Sequence, residues 1–157
     1  MAPADFLLEA YWTCKDFSTG SKMKGMEGAT RILGFDLEFL SPRDMSTGQA
    51  TGRVQMKPFR IQKPIDLSSP LELDALLNNK QIKECKIAYY GNKVDGSGKI
   101  KQFEITLTDF HVVHLIQTGT GGAAGVTETV ELTYSKIVVI DVPSTKQTEY
   151  EWTGALA

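Results

Sequence analysis

The chain has 157 residues, 41% of them hydrophobic, enough for one domain with a real core. Its 17 basic and 19 acidic residues are interspersed and leave a formal charge of −2, so no basic stripe invites nucleic acid. Cys14 and Cys85 have no C-x-x-C or metal-knuckle spacing, which fits a reducing compartment and two small buried hydrophobes.

The N-terminal MAPADFLLEAYW lacks a positive leading segment and its apolar run is short, so it is not a secretory signal peptide. No apolar stretch approaches the ~20 residues of a membrane span, and membrane insertion is not expected. Phe6 to Trp12 reads as a first strand, and the polar, Gly-containing stretch that follows reads as loop. Arg31 to Leu40 alternates, with Leu33, Phe35, Leu37 and Phe39 on one face, and predicts a half-buried strand. Residues 41–52 (SPRDMSTGQATG) form a turn-rich excursion longer than a hairpin needs. Arg53 to Lys63 resumes alternation, with Pro58 breaking the ladder at an edge or bulge.

Residues 69–80 predict a helix. Ser69 as N-cap and Glu72 have capping-box spacing, and Pro70 suits the first helical position. Leu73, Leu76 and Leu77 form an apolar stripe at i, i+3 and i+4. Asn78 and Asn79 suit the C-terminal turn, and Lys80 complements the negative end of the dipole. A helix of about ten residues does not persist alone in water, so it must close an end of a β-structure or pack on its side.

Ile82 to Tyr90 is a further strand, followed by a turn around Asp95-Gly96. Lys99 to Thr118 as one straight strand would span roughly 60 Å, far beyond the usual ~20 Å. Its apolar phase resolves this: Phe103, Ile105 and Leu107 are odd, Phe110 and Val112 are even, so a bulge or bend is expected near Asp109. The glycine-rich turn at 119–125 leads into Val126 to Asp141, Pro143 ends that run, and Tyr150 to Trp152 adds a short closing strand.

No constellation with catalytic spacing emerges. His111 and His114 stand at i and i+3 on a strand, hence on opposite faces, which disfavours a shared metal. The scattered carboxylates read as solvated faces, and GTGGAAG lacks the helix and Lys-Ser/Thr pair of a phosphate loop. The last two long strands are apolar on both faces, which implies cover by the helix or by a neighbouring subunit.

Several words in this order carry a family likeness: F-R-I-Q-K-P-I-D-x-S-S-P-L-x-L-x-A-L-L at 59–77, I-K-E-C-K-I at 82–87, Q-F-E-I-T-L-T-D-F at 102–110 and E-T-V-E-L-T-Y-S-K-I at 128–137, with K-G-M-E-G at 24–28. Over about residues 4–141 the chain resembles the haemolysin-coregulated protein (Hcp) family. The resemblance implies a mainly β fold, a six-stranded barrel with one helix packed on its side. Six copies would form a ring, and rings would stack into the inner tube of a type VI secretion system. It implies a structural protein and not an enzyme, with no cofactor and no metal. Its partners would be copies of itself, a contractile sheath, spike and baseplate proteins, and the effectors carried in the channel. Such a tube is built in the cytoplasm and leaves the cell without a signal peptide. A related contractile device of the phage-tail type and a monomeric ligand-binding barrel are the alternatives. The whole of 1–157 reads as one tube domain, and the tail 143–157 is too short for an appended effector. For contacts between subunits or rings, the long loop offers Arg43, Asp44, Met45, Ser46, Thr47 and Gln49, and the 119–125 turn offers Thr120, Gly121 and Gly122.

Overall fold

The computed structural model describes residues 9–17, 29–92, 96, 98–121 and 125–152. In chain order these form β1 (Glu9–Thr13), a 3-10 turn (Lys15–Phe17), β2 (Ala29–Ile32), β3 (Gly34–Asp36), β4 (Phe39–Leu40), β5 (Gln55–Met56) and β6 (Phe59–Pro64). Then come α1 (Ser69–Leu77), β7 (Ile82–Asn92), β8 (Lys99–Gly119), β9 (Val126–Asp141) and β10 (Lys146–Glu151). The main sheet runs β2-β1-β7-β8-β9-β6-β3, and every pairing in it is antiparallel. β2 and β3 are two pieces of one path, broken at Leu33, whose N–H donates to Gln62 O at 2.7 Å. The sheet thus returns on itself as a barrel of six staves: β1, β2 with β3, β6, β7, β8 and β9. β10 is an addition, paired with Lys136–Asp141 of β9 beyond the 127–132 stretch that β6 uses.

The break explains why the expected strand Arg31–Leu40 is three short ones. At Leu33 the chain leaves β1 for β6; Leu33 is 63% exposed, while Phe35 stacks on Phe59 with centroids 5.3 Å apart. The first strand is described from Glu9 onward, and Phe6–Leu8 lie outside the described residues, as does K-G-M-E-G. Within the expected loop after it, the 3-10 turn buries Phe17 edge-on against Trp12 and Phe110. Cys14 and Cys85 are buried in the same core, and burial pushes the Cys14 thiol up to about 11.

The bend expected near Asp109 is present. Asp109 has φ 50°, a left-handed conformation that Asp tolerates better than most residues. It drops out of the ladder between Thr108–Lys136 and Phe110–Tyr134. The buried set passes from Ile105 and Leu107 to Phe110 and Val112, so one 21-residue strand keeps both halves facing the core. β9 shifts with it, from Val130, Leu132 and Tyr134 to Ile137.

α1 corrects two expectations. Its N-cap is Ser68, not Ser69, and the serine makes no side-chain cap bond, so the capping box does not form. The buried residues are Ser69, Glu72 and Ala75, with Leu76 packed on the core; Leu73 and Leu77 are 38% and 72% exposed. The inward face meets charged groups on the barrel side, so it carries polar partners and the leucines turn outward. The C-terminus behaves as read. Asn79 takes φ 50°, Asn79 N–H donates to Leu76 O at 3.2 Å and Lys80 N–H to Ala75 O at 2.9 Å, a Schellman ending. The Lys80 ammonium pairs with the Asp74 carboxylate.

Candidate assembly surfaces

The 41–52 excursion is a hairpin arm. Phe39 and Leu40 pair with Met56 and Gln55, Arg43 bridges Ala50, and Thr51 N–H donates to Pro42 O at 2.9 Å. At the tip, Asp44 accepts from the N–H of Ser46 at 2.7 Å and of Thr47 at 3.2 Å and from the Ser46 hydroxyl at 2.6 Å. These bonds, the Ser46 hydroxyl first, hold its carboxyl below the usual range. Arg43 donates to Gly48 O at 2.9 Å, Gly48 turns the chain at φ 74°, and Gln49 N–H donates to Thr47 Oγ1 at 3.3 Å. Five of the six residues singled out here thus hold the tip shape, and the sixth, Met45, is left 99% exposed.

Thr120 and Gly121 sit elsewhere, at the end of β8, where the Thr120 N–H and hydroxyl both donate to Gly125 O at 3.0 Å. Gly122 lies outside the described residues. The arm packs beside β10, through Phe39 against Tyr150 and Arg53 over Trp152. Tyr150 pairs with Ile137, so roughly 35 Å of β9 runs between the base of the arm and the Val126 end beside Thr120.

At the root of the arm lies a groove of about 650 Å³ between the chain after β3 and the start of β6. Half-buried Phe35 and Leu37 and exposed Pro58 line it, together with the exposed carboxylates of Asp36 and Glu38. Arg60, also in the lining, is engaged by Glu131, which accepts from its Nη2 at 2.9 Å and its Nε at 3.2 Å. His114 pairs with the other Glu131 oxygen. Arg60 holds the Glu131 carboxyl below its ordinary range against the opposing effect of burial, and His114 adds to the lowering. His111 and His114 point the same way, contrary to the strand rule. A register shift between Val112 and His114 places them opposite Thr133 and Glu131, on one face of β9. Among the described residues, no group of three His, Cys, Asp or Glu side chains is placed to hold a metal.

A buried ionic cluster under α1 escaped the reading of the residues. Lys63 Nζ stands 3.0 Å from Asp66 Oδ1 and 3.4 Å from Glu72 Oε1, and it pairs with Glu128. Lys63, Glu72 and Glu128 are at most 1% exposed. The Ser69 hydroxyl donates to Glu128 Oε1 at 2.7 Å and Gln117 Nε2 donates to Oε2 at 3.0 Å. Burial opposes the Lys63 charge, but Glu128, Glu72 and Asp66 outweigh it and raise its pKa. Burial and then the neighbouring Glu128 push Glu72 up to about 9, so it is neutral at pH 7. Glu128 stays ionised: burial opposes its charge, and bonds from Glu72, Lys63, Ser69 and Gln117 prevail. The cue was present in the alternation, because Lys63 shares parity with Phe59 and Ile61, and Glu128 with Val130 and Leu132. The cluster is a pin between helix and barrel, with Lys63, Glu72 and Glu128 closed off from solvent.

The family model described as "Type VI secretion system effector, Hcp" matches residues 11–140. The chain belongs to the Hcp family. A curated relative, the "Major exported protein" of Pseudomonas aeruginosa, is 35% identical over 74 residues, which are 47% of this chain and 43% of that protein. The chain thus spans less than half the length of the curated relative it matches. Solved Hcp structures share the fold. One described as an Hcp protein has a TM-score of 0.81 at 17% identity, covering 92% of this chain and 98% of its own. The Hcp1 protein of E. coli EAEC 042, as a double tryptophan mutant, gives 0.79 at 22% identity, with 92% and 97% covered. The secreted Hcp3 of Pseudomonas aeruginosa gives 0.74 at 23% identity, with 94% and 99% covered. No helix among the described residues is long and apolar enough to cross a membrane.

Proposed function

We propose that this chain is a tube subunit of a type VI secretion system. Six copies close into a ring, and rings stack into the inner tube that a contractile sheath drives outward from the cytoplasm. Spike and baseplate proteins meet the tube at its end, and effectors travel in the channel. The observation that carries the reading is the match of residues 11–140 to the Hcp family model, on a barrel that covers nearly all of the solved Hcp chains. Phe59, Ile61, Ile87, Leu107, Phe110 and Leu132, all unexposed, fill the barrel interior and argue against a ligand-holding barrel. Leucines on the outer face of α1, and Val113, Ile116 and Val126 on the outside of β8 and β9, leave apolar surface for neighbouring subunits. Light scattering with negative-stain imaging tests the proposal. A six-protomer mass with annular particles is expected; a monomer that persists at high concentration overturns it.

A further inference from the structure

The arm and the groove at its root are unlike in shape and charge, and each suits the other. The tip is a knob: Met45 is 99% exposed and flanked by polar shoulders that hold one conformation through Asp44 and through Arg43 on Gly48 O. The groove is a hole of about 650 Å³, within the range of sites that enclose a ligand group. Half-buried Leu37 and exposed Pro58 offer apolar surface to a thioether, a side chain that adapts well to irregular gaps. Asp36, Glu38 and Glu131 outnumber Lys57 and Arg60 in the lining, and Arg60 is already engaged by Glu131, so the groove is net acidic. The cation next to the knob is Arg43, whose guanidinium has five donors and gives one of its nitrogens to Gly48 O.

A chain cannot fill its own groove. Lys57 N–H donates to Glu38 O at the root, and the ladder continues through Phe39–Met56, Thr51–Pro42 and Arg43–Ala50 to the Asp44–Gln49 bond at the tip. Six residues of extended chain from Glu38 to Asp44 hold the knob roughly 20 Å from the hole. Two complementary but different surfaces on one chain make a heterologous contact, which closes a ring or continues as a stack. We infer that Met45 at the arm tip seats between Leu37 and Pro58 in the groove of a second copy of this chain, with Arg43 against its Asp36 and Glu38. This rests on the self-assembly proposed above.

The test is site-directed crosslinking of the full chain. The native Cys14 and Cys85 are 4% and 1% exposed and do not compete for reagent. A Met45→Cys, Glu38→Cys double variant treated with a short bismaleimide is expected to give a ladder of covalent multimers, whereas either single variant gives none beyond a dimer. A ladder ending at six bands identifies a ring contact, and one running past six a contact between rings. Met45→Asp is expected to raise the concentration for half-assembly about tenfold, the effect of one modest hot-spot residue. Arg43→Glu should weaken assembly likewise and recover when combined with Glu38→Arg. Assembly of native mass with no ladder from the double variant overturns the inference. Deletion of residues 43–50 separates the causes of failure. If the deletion blocks assembly but the cysteines do not crosslink, only the groove is wrongly assigned. If the deletion assembles normally, the arm has no assembly role. A native chain that remains monomeric removes the proposed function as well.

Discussion

Glu72 is a buried acid whose ionisation the fold opposes. Its pKa is about 9 in the folded chain against an ordinary 4.5, so the unfolded state releases its proton first as pH rises. The folded state then binds the extra proton, and this group lowers stability progressively from about pH 4.5 to about pH 9. Glu72→Gln keeps the shape and removes the titration. Urea unfolding across pH 5 to 9 should therefore show a smaller loss of stability in the variant than in the native chain. An identical pH profile would mean that Glu72 is not held neutral. Lys63 has the opposite standing: its charge meets Glu128 and Asp66, and removing it would strand buried carboxylate charge, typically a cost of about 3–5 kcal/mol.

Among the elements, β8 depends on one backbone torsion. Asp109 at φ 50° lets the strand change face, with Ser135 Oγ donating to its carbonyl at 3.3 Å. A β-branched residue resists that conformation, so Asp109→Val should cost about 1–2 kcal/mol, while Asp109→Gly should stay near native. Thermal unfolding of both variants checks this; equal losses would remove the torsion as the cause. The pattern of α1 illustrates the reverse case. Its leucines have helical spacing, yet the inward face is Ser69, Glu72 and Ala75, because the barrel presents Lys63 and Glu128 to it. Periodicity located the helix, and the charges opposite it chose its face.

For the whole molecule, the surfaces proposed for assembly are far apart in the chain. The base of the arm, at Phe39 and Arg53, packs beside Tyr150 and Trp152, whereas Thr120 and Gly125 lie by the start of β9, an arrangement suited to subunits that have neighbours on more than one side. Deleting residues 43–50 is expected to shorten or abolish tubes while leaving the barrel folded, because the tip bonds only within itself. Tube length by microscopy, with circular dichroism as the check on folding, decides it; native tubes from the deleted chain would end the arm's role.

Much of the architecture was legible in local order. Alternation marked the long strands, the parity change in β8 located Asp109, Pro70 and Asn79 bounded the helix, and the words at 59–77 and 102–137 carried the family. Sidedness was decided elsewhere. His111 and His114 share a face because β8 shifts register against β9, and Leu33 is exposed because the chain changes partners there. Lys63, Glu72 and Glu128 meet from three elements 9 to 65 positions apart, and the groove at the root of the arm draws on residues near 36, 58 and 131. Local propensity follows from nearest neighbours along the chain; the face that a residue presents follows from what distant segments put opposite it.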